Sequence, residues 1–142
     1  MSTVILYRPV GLRELELIKH SGWKKFPPRL EWQPIFYPVL NQAYADQIAA
    51  EWNTKDAFSG YCGVTTEFGL LESHYLKYAV QNVGGVIHNE LWVPADELED
   101  FNAHIIGGIN VISGFFGDKF KMPEDTELAE ALLKLMKNER ER

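Results

Sequence analysis

Short runs of β-branched and aromatic residues recur along the chain, and each run stands next to a glycine or a proline. They cover residues 4–8, 35–40, 61–68, 84–94 and 109–116. Runs of this length and composition, bounded by turn residues, are typical of β-strands. The pattern therefore predicts a sheet whose strands come from the whole length of the chain.

Other stretches place apolar residues three and four positions apart, which is the spacing of an amphipathic helix. Helices are predicted at residues 12–20, at 41–52 with an asparagine as the N-cap, and at 95–101. One or two helical turns are predicted at 72–78. A last helix is predicted to start at Pro123, and its apolar stripe consists of Leu128, Leu132 and Leu135.

Strands and short helices interleave without the regular alternation, or the glycine-rich phosphate loop, of a doubly wound nucleotide-binding fold. The sequence predicts an α+β fold with a mixed or antiparallel sheet core and short flanking helices. Residues 1–122 are expected to form a single domain, since 142 residues is an ordinary size for one. Residues 123–142 are expected to form a helix that packs on this domain and frays in its polar tail, from residue 137 onward.

Composition and charge narrow the classes of partner. A net charge of −6 argues against a broad surface for nucleic acid or for an anionic membrane. No window approaches the roughly 18–20 apolar residues of a membrane span, and the first residues do not have the pattern of a signal peptide. Cys62 is the single cysteine, so an intrachain disulfide is excluded and a cytoplasmic location is expected. The identity of any protein partner stays open.

Sequence motifs do not indicate a metal site or an activated nucleophile. The four histidines are His20, His74, His88 and His104, and no two of them form an HxxxH or HExxH motif. The sequence therefore predicts no metal. The chain also lacks the Gly-x-Ser-x-Gly motif of a serine nucleophile, and Cys62 is expected in the core.

Glu90 is the unusual residue of the strand predicted at 84–94, because a carboxylate in such an apolar strand needs a partner or a wet cleft. Side chains alternate along a strand, so His88, Glu90 and Trp92 are expected on one face. Two interpretations remain open. Either Glu90 lies on an edge strand, in solvent or paired with a cation, or it forms the floor of a ligand pocket. Two interpretations are also open for the loop that contains Arg29. Either it only connects two elements at the surface, or it forms one wall of an anion-binding site.

The first half of the chain contains two motifs that resemble those of the ADP-ribosyltransferase superfamily. In that superfamily an early strand carries Arg or His, and residues 6–8, which end in Arg8, are similar to this motif. A middle strand of the superfamily runs into a helix. Residues 36–41, followed by Tyr44, are similar to that second motif.

A third motif of the superfamily contains the catalytic glutamate near the end of a late strand. Residues 88–94 resemble it, with Glu90 as the glutamate and His88 in the place usually held by Gln or Glu. Residues 4–116 as a whole resemble a small bacterial family that carries an ADP-ribosylation/crystallin label.

The resemblance implies an ADP-ribosyltransferase-like fold and NAD as the substrate, with cleavage of the nicotinamide–ribose bond and transfer of ADP-ribose. It implies that Glu90 bonds a ribose hydroxyl and stabilises the oxocarbenium-like centre, while His88 orients the attacking group. Arginines are expected to contact phosphate or ribose, and aromatic rings to contact the nicotinamide. The residues so implied for NAD binding are Arg8, Arg29, Tyr37, Tyr44 and Trp92.

Two rival interpretations stay open. One is a non-catalytic module that keeps the fold and holds a nucleotide or a protein. The other is a small interaction or immunity-type protein without a ligand pocket. The rivals differ from the enzyme in geometry, because an enzyme of this kind requires Arg8, Tyr37 and Glu90 to converge on one pocket.

Overall fold

The computed structural model describes residues 2–140. Its helices are α1 (Leu12–His20), α2 (Gln42–Glu51), α3 (Glu72–Tyr75), α4 (Leu98–Ala103) and α5 (Thr126–Arg140). Its strands are β1 (Thr3–Val10), β2 (Ile35–Phe36), β3 (Cys62–Leu71), β4 (Val80–Asn82), β5 (Asn89–Leu91), β6 (Val93–Pro94) and β7 (Ile105–Phe116). Short 3-10 turns cover Asn53–Lys55, Ala57–Ser59 and Ala95–Glu97.

The central sheet is antiparallel, with β3 between β1 and β7. Beyond β1, the bridges Tyr7 to Val39 and Val39 to Glu90 connect the sheet edge to β5, which pairs in turn with β4. A separate pair joins β2 to β6. The predicted α+β class is therefore confirmed, and the segments that carry Arg8, Tyr37 and Glu90 run side by side.

The core lies between this sheet and the helices. Phenylalanine rings meet edge to face in its centre, where Phe68 contacts both Phe26 and Phe101. The predicted leucine stripe of α5 is confirmed, and Leu128, Leu132 and Leu135 are all buried. Cys62 is also buried, and its burial raises the pKa of the thiol to about 12. None of the helices in residues 2–140 is both long and apolar enough to span a membrane.

Helix α2 packs closely on the sheet because glycine and small residues lie at the contact. A Cβ atom on Gly63 would lie 2.6 Å from the Cα atom and the carbonyl oxygen of Ala49. Beside this contact, one carboxylate oxygen of Asp46 accepts hydrogen bonds from the hydroxyls of Thr65 on β3 and Ser113 on β7. A single helix side chain thus connects α2 to two strands.

The prediction of a strand at residues 84–94 is wrong for residues 84–88. Residues 84–88 form an exposed turn, in which Val86 is 94% exposed. The turn is stabilised locally, because the backbone N–H of Gly85 donates to Nδ1 of His88 at 2.8 Å and the side chain of Asn82 donates to the carbonyl of Gly85. Regular strand structure begins only at Asn89.

Several other predicted boundaries also shift. The strand predicted at 35–40 is limited to β2 and a bridge at Val39, and Pro38 supplies no backbone N–H there. Helix α5 begins at Thr126 and not at Pro123, since the carboxylate of Asp125 accepts from the N–H of Leu128. The same helix includes residues 137–140 of the tail that was expected to fray, and residues 141–142 lie outside the described part.

Candidate functional site

Four of the predicted site residues line one groove of about 390 Å³. We call it the carboxylate groove, and its lining includes Arg8, Tyr37, Val39, Ile48, Glu90 and Trp92. It forms because the two bridges through Val39 bring the end of β1, the segment after β2 and β5 together. Arg8, Tyr37 and Glu90 therefore converge, as an enzyme of the implied kind requires.

Glu90 is buried, with 8% of its surface exposed, at the wall of the groove. The hydroxyl of Tyr44 donates to Oε2 at 3.2 Å, and the indole Nε1–H of Trp92 donates to Oε1 at 3.0 Å. Both donors are neutral, and no lysine or arginine among the described residues forms a salt bridge with Glu90. The solvent-exposed alternative for Glu90 is therefore wrong, and its carboxylate can interact with a cationic ligand.

Tyr44 has a different place from the one implied for it. Tyr44 is not one of the residues that line the carboxylate groove, and its hydroxyl donates a hydrogen bond to Oε2 of Glu90. Burial raises the pKa of Tyr44, and the nearby charge of Glu90 adds to this, so the hydroxyl stays a hydrogen-bond donor. Tyr37 and Trp92, by contrast, keep part of their rings exposed in the groove.

Arg8 is buried and is already neutralised. Its Nε and Nη2 donate to the two carboxylate oxygens of Glu14 at 2.7 and 2.8 Å. Its Nη1 donates to the carbonyl oxygen of Tyr37 at 3.3 Å, and its guanidinium carbon lies 4.5 Å from the centre of the Phe36 ring. A phosphate at this point would have to share the guanidinium with Glu14.

Arg29 lies in an adjoining groove of about 600 Å³. We call it the aromatic groove, and its lining includes Arg8, Arg29, Trp32, Trp52, Asn53 and Phe58. The Nε of Arg29 donates to the carbonyl of Ile35 at 3.0 Å, and the salt bridges of the described residues do not include Arg29. Burial lowers the pKa of Arg29, and the charge of Arg8 lowers it further. Arg29 is thus a half-buried cation that has no salt bridge among the described residues, and the charge of Glu14 partly offsets the effect of Arg8 on it; its guanidinium suits an anion.

The two grooves meet, since Arg8 and Asn53 line both of them. Large aromatic side chains stand exposed around the aromatic groove: Trp32 is 71% exposed and contacts the ring of Phe58 edge to face. Together the grooves contain a carboxylate, Glu90, a guanidinium without a salt bridge among the described residues, Arg29, and exposed aromatic side chains.

His88 does not share the groove with Glu90, so its predicted position is wrong. Because residues 84–88 form a turn, the strand alternation from which the shared face was inferred does not hold there. The Nδ1 of His88 accepts from Gly85, which leaves the proton on Nε2, and Nε2 donates to Oε1 of Gln47 at 2.9 Å. The ring lies 4.8 Å from that of Tyr44 and lines a smaller groove of about 320 Å³, whose lining does not include Glu90. Both ring nitrogens are occupied, so His88 does not reach a group attacking in the carboxylate groove.

Two features had not been predicted from the sequence. The first is Glu14, which is paired with Arg8 across the turn between β1 and α1 and has no distinguishing motif. The second is a group of metal-ligand type that consists of His74, Asp100 and His104. A sequence signal for it exists, because Asp100 and His104 are four residues apart, the spacing that brings two side chains to one helix face.

Comparisons with known proteins do not extend this description. Protein-family models, curated proteins and solved structures were all compared with the chain, and none of them matches it. The functional conclusions therefore depend on the geometry of the chain's own residues.

Proposed function

We propose that the protein is an ADP-ribosyltransferase-like enzyme that binds NAD and cleaves its nicotinamide–ribose bond. The observation that carries the proposal is the convergence of Arg8, Tyr37, Glu90 and Trp92 on one groove. Residues that are 82 positions apart, counted from Arg8 to Glu90, come together at a carboxylate without a cationic partner.

The carboxylate groove suits the nicotinamide end of NAD. The bound nicotinamide ring carries a positive charge, which is attracted to aromatic faces such as those of Tyr37 and Trp92. As the bond between nicotinamide and ribose breaks, the positive charge moves to the ribose, and the carboxylate of Glu90 stabilises it. Tyr44 and Trp92 hold that carboxylate in place through its two oxygens.

The aromatic groove suits the other half of the molecule. A pyrophosphate needs a cation, and Arg29 is the guanidinium of this region that has no salt bridge among the described residues. Arg8 is shared by the two grooves, so it lies between the proposed sites for ribose and phosphate. The planar donor group of arginine matches phosphate oxygens in pairs.

The test is release of nicotinamide from NAD, measured for the wild type, Glu90→Gln and Glu67→Gln. Glu67 is a matched control, because it is also a strand glutamate beside a tyrosine, Tyr7, but lines neither groove. We expect Glu90→Gln to lose about 100-fold or more in rate, as for other electrostatic stabilisers of a transition state. Glu67→Gln should keep the wild-type rate. Wild-type protein that releases no nicotinamide would refute the proposal, whether or not NAD stabilises it, as would a Glu90→Gln variant that keeps the wild-type rate.

A non-catalytic nucleotide-binding module is the second candidate. The position of His88 favours it, because His88 lies outside the carboxylate groove and Glu90 therefore lacks the partner implied for orienting an attacking group. A binder would be stabilised against heat by NAD or ADP-ribose without consuming NAD. Stabilisation that Arg29→Gln removes, together with no nicotinamide release, would support the binding module over the enzyme.

A further inference from the structure

Three residues from two segments of the chain form a second cluster away from both grooves. The histidine–aspartate cluster consists of His74 on α3, Asp100 on α4 and His104 directly after α4. One ligand atom of each residue lies within 4.8 Å of the others. Two imidazoles and one carboxylate are a donor set that zinc binds in proteins.

His74 has a nitrogen that lacks a partner. The residue is 2% exposed, and its Nδ1 is buried and has no hydrogen-bond partner among the described residues. Its Nε2 lies 3.2 Å from the hydroxyl of Tyr78, which in turn donates to the carboxylate of Glu97 at 3.4 Å. Because the proton of Tyr78 is directed to the carboxylate, Nε2 of His74 is the donor to the tyrosine oxygen. Nδ1 then carries a bare lone pair, and a buried polar atom of this kind calls for a partner.

The hydrogen-bonded neighbours of His74 fix the orientation of its ring, because Tyr78 lies between Nε2 of His74 and the carboxylate of Glu97. A chain from carboxylate through hydroxyl to histidine orients the ring in the way that outer partners orient metal-binding histidines.

In His104, as in His74, one ring nitrogen donates a hydrogen bond and the other is left as an acceptor. Its Nδ1 lies 2.7 Å from the carbonyl oxygen of Asp100, and since a carbonyl only accepts, Nδ1 is the donor. Nε2 is left as a lone pair. The ring stacks on that of His74, with centres 4.2 Å apart and planes inclined by 13°. The carboxylate of Asp100 lies nearby, with Oδ1 3.7 Å from Nδ1 of His104.

We propose that His74, Asp100 and His104 bind a zinc ion through Nδ1 of His74, Nε2 of His104 and the carboxylate of Asp100. One ligand atom of each residue already lies within 4.8 Å of the others, and zinc bonds of about 2.0–2.2 Å in a tetrahedral site would bring the bound atoms to about 3.3 Å from one another. The Asp100 and His104 side chains are partly exposed and can turn. The stacked rings tilt apart on binding, because each zinc–nitrogen bond lies in the plane of its imidazole.

Zinc in the cluster would connect α3 to α4. The segment between the two helices, residues 76–97, contains both Glu90 and Trp92. Closing a chain segment with a metal ion restricts the freedom of its ends. The ion would thereby stabilise the part of the chain that carries the groove carboxylate. The zinc proposal does not depend on the proposed function, since none of the three ligands lines either groove.

The test uses the full chain, freed of metal with a chelator and titrated with zinc chloride against a chromophoric zinc indicator. We expect one equivalent to bind, and Asp100→Asn and His104→Gln each to weaken binding by at least about 100-fold, because changes in outer partners alone cost 10–100-fold. His20→Gln and His88→Gln are the matched controls and should bind as the wild type does. Magnesium chloride should not compete, since magnesium prefers oxygen ligands.

A second measurement covers His74, whose replacement in the core could unfold the chain. The ring nitrogens of the wild-type histidines are followed by nitrogen-15 NMR during the titration. Nδ1 of His74 and Nε2 of His104 should shift at one equivalent of zinc, while the rings of His20 and His88 should not. Absence of stoichiometric binding, binding that survives both ligand variants, or a shift confined to His20 or His88 would overturn the proposal.

Discussion

Helix α1 carries two glutamates that each pair with an arginine, and the pairs differ in burial and in the number of hydrogen bonds, two for Arg8–Glu14 and one for Arg13–Glu16. The side chains of Arg8 and Glu14 are 9% and 20% exposed, whereas those of Arg13 and Glu16 are 66% and 31% exposed. Glu14→Gln removes the charge and turns an amide N–H₂ toward the donors of Arg8. Glu16→Gln makes the same chemical change in a more exposed pair. The two variants therefore compare a buried salt bridge that has two hydrogen bonds with a more exposed one that has a single bond.

The expected losses of unfolding free energy differ by several-fold. Breaking a buried pair by neutralising one partner costs about 3–5 kcal/mol, because the other charge stays buried without compensation. Arg8 keeps its hydrogen bond to the Tyr37 carbonyl and its contact with the Phe36 ring, so the lower end, about 3 kcal/mol, is expected for Glu14→Gln. An exposed pair contributes about 0–1 kcal/mol, so Glu16→Gln should cost no more than that.

Urea unfolding at pH 7 measures both losses, from the midpoint and the slope of each transition. A third variant, Arg8→Met with Glu14→Leu, removes both charges and should regain most of the stability lost in Glu14→Gln. Equal losses in Glu14→Gln and Glu16→Gln would show that the Arg8 pair is not shielded from water. A double variant as unstable as Glu14→Gln would show that the loss comes from packing and not from the unpaired charge.

Three further predictions concern the core. Gly63→Ala should destabilise the protein by about 1–3 kcal/mol in urea unfolding, because its methyl group collides with the Ala49 backbone; wild-type stability would show that α2 moves away easily. Cys62, with a pKa of about 12, should react with iodoacetamide at pH 8 only after unfolding, and mass spectrometry of native protein checks this. Burial lowers the pKa of His74 from 6.5, so the unfolded chain binds that proton more tightly. The stability contributed by neutral His74 should be complete above pH 6.5 and decline as the pH falls below it, and urea midpoints that stay constant from pH 7.5 to 5.5 would contradict this.

The sequence correctly predicted the elements whose signals come from residues close together in the chain, such as helix caps and apolar stripes. Helix α1 has the predicted bounds, and Asn41 caps α2 by accepting from the N–H of Tyr44 at 2.8 Å. The leucine stripe of α5 lies in the core, since its spacing leaves one face apolar. In each case the residues that carry the sequence signal are within about two helical turns of one another.

The sequence did not predict the contacts between distant segments of the chain. The alternation rule placed His88 beside Glu90, but the rule applies only within a strand, and the hydrogen bond from Gly85 to His88 ends the strand at Asn89. The convergence of Arg8 with Glu90 depends on Val39, which forms a bridge to each side without belonging to a regular strand. Bridges of this kind have no periodic pattern to detect.

The charges of the two grooves decide how NAD would lie if the proposed function holds. Glu90 has neutral hydrogen-bond donors, while the charge of Arg8 is balanced by Glu14, so the carboxylate groove is negative overall. A negative groove attracts the cationic nicotinamide ring and repels a phosphate. Under the proposed function the phosphates would be directed toward Arg29, which has no salt bridge among the described residues. An arrangement in which Arg8 were the main phosphate ligand would require Glu14 to leave it, at the cost in stability that the Glu14→Gln variant measures.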